Sequence, residues 1–143
     1  MSVREFVTES EQETREVAVS LAKKLLPGHV LCLRGELGVG KTVFAQGLCA
    51  QLGIREPVSS PTFTLVNEYE GEGCRVFHFD LYRIEEPEEL YEIGFEEMIS
   101  SDAIVLIEWP EQAGELLPSA RLDITIERMG ENGRRIVMEE RTI

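Results

Sequence analysis

Gly35-Glu36-Leu37-Gly38-Val39-Gly40-Lys41-Thr42 is the stretch around which the rest of the chain is organised. It fits G-x-x-x-x-G-K-[ST], the phosphate-binding P-loop. The residues before it, His29-Val30-Leu31-Cys32-Leu33-Arg34, predict a buried strand. Those after it, Thr42 to Leu52, predict a helix with apolar residues at Val43, Phe44, Leu48 and Leu52. Strand, glycine loop and helix together are the context that separates a P-loop from a chance match. Glycines let the backbone turn tightly and aim successive N–H groups at one anion. The helix start adds partial positive charge there. Lys41 can reach the β- and γ-phosphates of a nucleotide, and the Thr42 hydroxyl can ligate Mg²⁺. The competing reading is a glycine-rich turn that binds nothing.

The chain has 143 residues, enough for one domain with a real core but with little room for a lid or a substrate domain. It carries 27 acidic and 14 basic residues, a formal net charge of −13. Such a surface repels nucleic-acid phosphates, so any role with RNA or DNA is expected to run through a protein partner. Arg121, Arg128, Arg134, Arg135 and Arg141 lie close in sequence and could make a local basic patch; a solvated hairpin face is the preferred reading. Cys32, Cys49 and Cys74 show no C-x-x-C spacing and read as reduced, partly buried thiols of a cytosolic protein. With only His29 and His78 available, a catalytic thiol is not expected. No apolar run is long enough to span a membrane. The polar, acidic stretch Met1 to Thr14 is not a signal peptide, so a cytoplasmic location is expected.

From the N-terminus, Val3 to Thr8 alternates as a short strand. Ser10 caps a helix, with Glu13 completing an S-x-x-E capping box. Val17, Leu21 and Leu25 give that helix an apolar face, and Pro27-Gly28 ends it. Beyond the P-loop helix, Glu56 to Thr64 holds two prolines and four hydroxyl residues and predicts an ordered loop. In P-loop proteins the segment after the first helix can reach back to the γ-phosphate, as GTPase switch I does. Thr62 is the hydroxyl singled out for that role; a hydroxyl-rich connecting turn explains the same residues equally well. Thr64 to Glu70 and Cys74 to Phe79 predict a hairpin turned at Gly71-Glu72-Gly73. The return strand delivers Asp80, the Walker B arrangement, in which a carboxylate serves Mg²⁺ directly or through water.

Glu85 to Glu97 predicts one or two short helices broken at Gly94, with Leu90, Ile93 and Met98 on an apolar stripe. Ala103 to Ile107 is the most continuous apolar strand, read as buried on both faces, and it ends in Glu108 and Trp109. Ligands of open α/β sheets bind beyond the carboxyl ends of the strands, so Asp80 and Glu108 are both expected to face the P-loop. The bland reading of either is a surface acid that happens to end a strand. Residues do not fix which acid stands nearer a metal. Glu108 is the expected one, because its apolar strand is expected beside the P-loop strand. Arg121 to Glu127 and Arg134 to Met138 predict a terminal hairpin turned over 129–133. The whole, residues 1–143, reads as a single P-loop ATPase domain: an α/β fold with a mixed β-sheet flanked by helices and a C-terminal β-hairpin.

With the motifs placed, the chain resembles the TsaE (YjeE) family, small bacterial ATPases associated with threonylcarbamoyl-adenosine (t6A) modification of tRNA. The likeness runs almost end to end. It is carried by SEQET at Ser10 to Thr14, RGELGVGKTVFAQGL at Arg34 to Leu48 and VSSPTFTLVNEY at Val58 to Tyr69, then by FHFDLYR at Phe77 to Arg83 and IEWPE at Ile107 to Glu111. The resemblance implies that ATP and Mg²⁺ are bound and that ATP is hydrolysed slowly by the chain alone. It implies partnership with TsaD and TsaB, the transferase pair that modifies ANN-reading tRNAs, with tRNA met only through that complex and no membrane involved. Carried over by position, Gly38, Val39, Gly40, Lys41, Thr42 and Val43 would wrap the phosphates, and Thr42 and Glu108 would bind Mg²⁺. Asp80 fills the Walker B position, Thr62 lies in the switch-like loop, and Thr8 would approach the nucleotide from the N-terminal segment. Arg134 matches a family arginine near the ATP, and Trp109 joins the nucleotide-binding set. Val39 stands where alanine is common in the family. Lys41, Thr62, Asp80 and Glu108 form the expected catalytic set.

Two other classes of function stay in view: a free-standing small-molecule kinase, and a nucleotide-gated binding module without meaningful hydrolysis. Against the kinase, only Arg83 stands near the expected site as a lid-type cation.

Overall fold

The computed structural model describes residues 3–36 and 38–141. The ends of the stretch read as residues 1–143, and Leu37 within the P-loop, lie outside the described residues. Strand β1 (Val3–Thr8) leads into helix α1 (Glu11–Ala22). Strand β2 (Val30–Arg34), the P-loop and helix α2 (Lys41–Gln51) follow. Then come β3 (Val66–Glu70), β4 (Arg75–Asp80), short helices α3 (Glu89–Glu92) and α4 (Phe95–Ile99), and β5 (Ile104–Glu108). A 3-10 helix (Pro110–Leu116) precedes the hairpin of β6 (Arg121–Met129) and β7 (Gly133–Arg141).

All seven strands form one mixed sheet in the order β1-β7-β6-β2-β5-β4-β3. Its centre is parallel, with β2 between β5 and β6 and β5 also beside β4. Its edges are antiparallel, closed by β3 on one side and by β7 and β1 on the other. The central strand β2 is therefore flanked by the strand that ends in Glu108. In β5 all five residues are buried, as its unbroken apolar run requires of a strand covered on both faces.

The alternation of side chains along each strand divides the core into two layers. Leu31, Leu33, Val76, Leu106, Ile124 and Ile126 face α1 and α2, where Ala18, Leu21, Phe44, Leu48 and Cys49 meet them. Cys32, Phe77, Phe79, Val105 and Ile107 face α3, α4 and the 3-10 helix through Leu90, Phe95 and Ala113. Each fully buried Leu or Phe contributes on the order of 1.5–3 kcal/mol. Phe79 and Phe95 meet edge to face with ring centres 5.1 Å apart.

Several local readings need correction. Helix α1 ends at Ala22, not at Pro27-Gly28; the Lys24 and Leu25 N–H groups bond three residues back, to Leu21 and Ala22. That tighter winding is how helices commonly finish. Ser10 caps α1 by accepting from the Glu13 N–H, but the Glu13 carboxylate reaches the N–H of Glu9, one residue before the cap. The strand read from Thr64 begins at Val66, because Leu65 takes a left-handed conformation (φ 69°) and its N–H closes a turn onto the Pro61 carbonyl. Cys32 and Cys49 are fully buried, not partly, and burial pushes both thiols up to about 12. The arginines of the last hairpin are not simply solvated. Arg121 and Arg141 pair with Asp123, and Arg135 with Glu5 and Glu127. Among the described residues, no helix is long and apolar enough to cross a membrane.

Candidate functional site

The P-loop is shaped by close backbone contacts. Gly35 (φ 151°) leaves no room for a side chain: a Cβ there would stand 2.7 Å from the Ile126 carbonyl oxygen. Gly40 (φ 110°) begins α2 from a left-handed conformation that side-chained residues rarely adopt. Two arginines of the last hairpin hold the loop from outside. Arg128 donates to the Gly38 carbonyl (3.0 Å), and Arg134 Nε to the Val39 carbonyl (2.6 Å). In a trans peptide the carbonyl and the next N–H point in opposite directions. Arg134, by fixing the Val39 carbonyl, turns the Gly40 N–H the other way.

Beyond the carboxyl ends of β2, β4 and β5 lies an open cavity of about 350 Å³. Gly38, Gly40, Lys41, Thr42 and Val43 line it from the P-loop side. Thr62, Asp80, Glu108, Trp109 and Arg134 line it from the strand ends, the loop and the hairpin. Two residues expected there are set back. Val39 is 3 % exposed and packs into the core, its N–H bonding the Glu36 carbonyl. Thr8 is buried and touches the cavity only through Thr14, whose hydroxyl it meets at 2.8 Å.

Lys41 is nearly buried, at 5 % exposed. Its ammonium donates to the Gly35 carbonyl (2.7 Å) and sits 3.9 Å over the Trp109 ring. Trp109 holds a left-handed backbone (φ 57°, ψ 50°), unusual for a bulky residue, and its ring also packs on Tyr82. Burial lowers the Lys41 pKa, against the opposing pull of Glu108, Asp80 and Glu111. An anion placed beside this ammonium would restore what burial removes.

The two strand-end acids differ in how they are held. Asp80 has both oxygens engaged: Oδ2 accepts from Thr62 Oγ1 (3.1 Å) and Oδ1 from the Tyr82 N–H (3.0 Å). Glu108 has one oxygen engaged twice, Oε2 accepting from Ser60 Oγ (2.9 Å) and lying 2.6 Å from His78 Nε2. Its Oε1 has no hydrogen-bond partner among the described residues. Burial works to raise the Glu108 carboxyl, but His78, Ser60 and Lys41 together outweigh it and leave it below the ordinary value. Thr42 Oγ1 stands 3.2 Å from Ser60 Oγ. Because the single Ser60 proton goes to Glu108, Thr42 is the donor in that contact. Thr42, Ser60 and Glu108 thus form one connected set of hard oxygens. That is the donor chemistry Mg²⁺ takes, with the remaining positions left to phosphate and water. The residues fit such an ion.

Ser60, His78, Thr14, Glu11 and Asn132 belong to or support the cavity and were not singled out from sequence. His78 had a signal, a polar residue inside an apolar strand and two positions before Asp80, hence on the same face. Ser60 had none that set it apart from the other hydroxyls of its loop.

Known proteins resemble this chain in sequence and architecture. Residues 8–136 match the family described as "Threonylcarbamoyl adenosine biosynthesis protein TsaE". The tRNA threonylcarbamoyladenosine biosynthesis protein TsaE of Bacillus subtilis is 40% identical over 129 residues, covering 90% of this chain and 80% of that protein. The Rickettsia felis protein of the same name is 37% identical over 130 residues, covering 90% of this chain and 75% of its own length. The crystal structure of Bacillus subtilis YdiB superposes with a TM-score of 0.86 at 33% identity, over 99% of this chain and 87% of that one. The chain belongs to the TsaE family of threonylcarbamoyl adenosine biosynthesis proteins.

Proposed function

We propose that this protein is a Mg²⁺-dependent ATPase, slow in isolation, that acts as an accessory subunit in t6A modification of ANN-reading tRNAs. Its partners are the TsaD and TsaB proteins, it works in the cytoplasm, and it is not itself the transferase. One observation carries the reading. A P-loop lysine and threonine share a cavity with two strand-end acids, and among the described residues one of those acids, Glu108, keeps an unpartnered oxygen while both oxygens of Asp80 are engaged.

In this reading the N–H groups of the P-loop and the Lys41 ammonium bind the phosphates, and Arg134 keeps the loop in shape. Thr42 and Glu108 would hold Mg²⁺, which would neutralise charge on the phosphates. Asp80 and Thr62, joined by their hydrogen bond, orient the attacking water. Trp109 steadies Lys41 through its ring face. The net charge of −13 favours contact with tRNA through the partner proteins rather than directly.

The test is phosphate release from ATP by the purified chain, alone and with TsaD and TsaB. Slow release that depends on Mg²⁺ and changes with the partners is expected. Transfer of phosphate to a small-molecule acceptor would make it a kinase, and binding without release above background would make it a nucleotide-gated module.

A further inference from the structure

Strand β4 carries a second polar residue on the face of Asp80, and its chemistry is directed at Glu108. We propose that His78 is a positioning residue: by donating from Nε2 to Glu108 Oε2 it reserves the other oxygen, Oε1, for a divalent cation. The inference rests on the reading of the cavity as a Mg²⁺–nucleotide site.

His78 is fully buried in β4, with the apolar Val76, Phe77 and Phe79 around it in the strand. An imidazole in such surroundings is costly unless its nitrogens are satisfied. Only one is. Nε2 lies 2.6 Å from Glu108 Oε2, whereas Nδ1 is buried with no hydrogen-bond partner among the described residues. A buried imidazole has two nitrogens to satisfy, whatever its role. This one carries a single polar contact, to the acid at the end of the neighbouring strand. An ionised carboxylate only accepts, so the proton lies on Nε2.

Ser60 donates to the same oxygen, so among the described residues Oε2 takes two donors and Oε1 none. The two donors differ in how firmly they are held. Ser60 belongs to a loop and is shared with Thr42. His78 sits within the sheet, paired with Asn67 on β3 and with Leu106 on β5. Ser60 can leave Oε2 by a movement of its loop, without disturbing the sheet. His78 cannot withdraw, so it still holds Oε2 when Ser60 has moved. Glu108 then offers one oxygen in one orientation, and its carboxylate does not rotate between ligand positions.

Two substitutions separate positioning from packing. His78→Leu fills similar space with no donor, and His78→Gln restores an N–H near the position of Nε2. The readout is Mn²⁺ affinity, by electron paramagnetic resonance, of the protein bound to a non-hydrolysable ATP analogue, with metal-free nucleotide affinity measured alongside. His78→Leu should weaken Mn²⁺ binding about tenfold or more while metal-free affinity stays within about twofold, and His78→Gln should recover most of the loss. Unchanged Mn²⁺ affinity in His78→Leu, or an equal loss of metal-free affinity, overturns the assignment. Glu108→Gln distinguishes the two levels. If it weakens Mn²⁺ binding and His78→Leu does not, only the role of His78 falls; if neither does, the metal reading of the cavity falls with it. Should His78→Leu fail to fold, nitrogen-15 NMR of the wild-type protein decides. A proton on Nε2, lost or shifted in Glu108→Gln, is expected, and an unprotonated Nε2 overturns the proposal.

Discussion

The two ends of β2 open into cavities of similar size, about 350 Å³ at the carboxyl end and about 390 Å³ at the other. Their charged groups are in different states. Arg121 and Arg141, which line the cavity at the start of the strand, both donate to Asp123, and Arg34 adds a third contact to the same carboxylate. The guanidinium groups of Arg121 and Arg141 are matched by a carboxylate of the fold. At the carboxyl end Lys41 is held by a backbone carbonyl and an aromatic face; among the described residues no carboxylate is hydrogen-bonded to it, and Glu108 keeps an oxygen open. Cavity size does not tell these regions apart; the state of their charges does. Polar groups that a fold leaves incompletely matched in a cleft mark where a ligand completes them.

The contrast can be broken in order of expected effect. Lys41→Ala should lower ATP-dependent turnover at least roughly a hundredfold, the scale of losing one preorganised electrostatic group. Near-normal turnover, measured as phosphate release, would remove the P-loop from the account. Between the two acids, Glu108→Gln should raise the Mg²⁺ requirement for nucleotide binding at least about tenfold, no less than loss of a residue that only supports the ligand. Asp80→Asn should spare nucleotide affinity more than hydrolysis. Titration of nucleotide affinity against Mg²⁺ for both variants checks this, and the opposite pattern would exchange their roles.

At the far end, Asp123→Asn should cost stability and leave nucleotide affinity unchanged. The loss is about 1–2 kcal/mol, below that of a fully buried pair because its arginines reach solvent. Burial works to raise the Asp123 carboxyl, but hydrogen bonds from Arg141 and Arg121 and the charge of Arg34 bring it below the ordinary value. Its contribution is therefore complete above the usual aspartate range, near pH ~4, and is lost as pH falls through that range toward the lower folded value. Thermal midpoints of wild type and Asp123→Asn should converge on acidification. A constant gap down to the lowest accessible pH would show that the carboxylate charge is not what the arginines stabilise.

Much of this was legible in the sequence because it is local. The P-loop is eight consecutive residues, and Asp80 and Glu108 end apolar strands whose carboxyl ends gather by a general rule of α/β sheets. The apolar run ending at Glu108 does lie beside the P-loop strand. What was not legible is set by pairing across long separations. The order that puts β6 next to β2 brings Arg128 and Arg134 onto P-loop carbonyls some ninety residues earlier in the chain. Ser60 and Thr62 looked alike as hydroxyls of one loop. Only the turn closed by Leu65 assigns Thr62 to Asp80 and Ser60 to Glu108. His78 could be read as polar, but its partner lies thirty residues away on another strand.

The central claim is that the cavity at the carboxyl end of β2 takes ATP together with Mg²⁺. Calorimetric titration of the purified chain with ATP, with and without Mg²⁺ and on wild type and Lys41→Ala, tests it most directly. One ATP per chain, bound more tightly with Mg²⁺ and lost in Lys41→Ala, is the predicted result. Binding that is absent, or that is the same in both proteins, would contradict it.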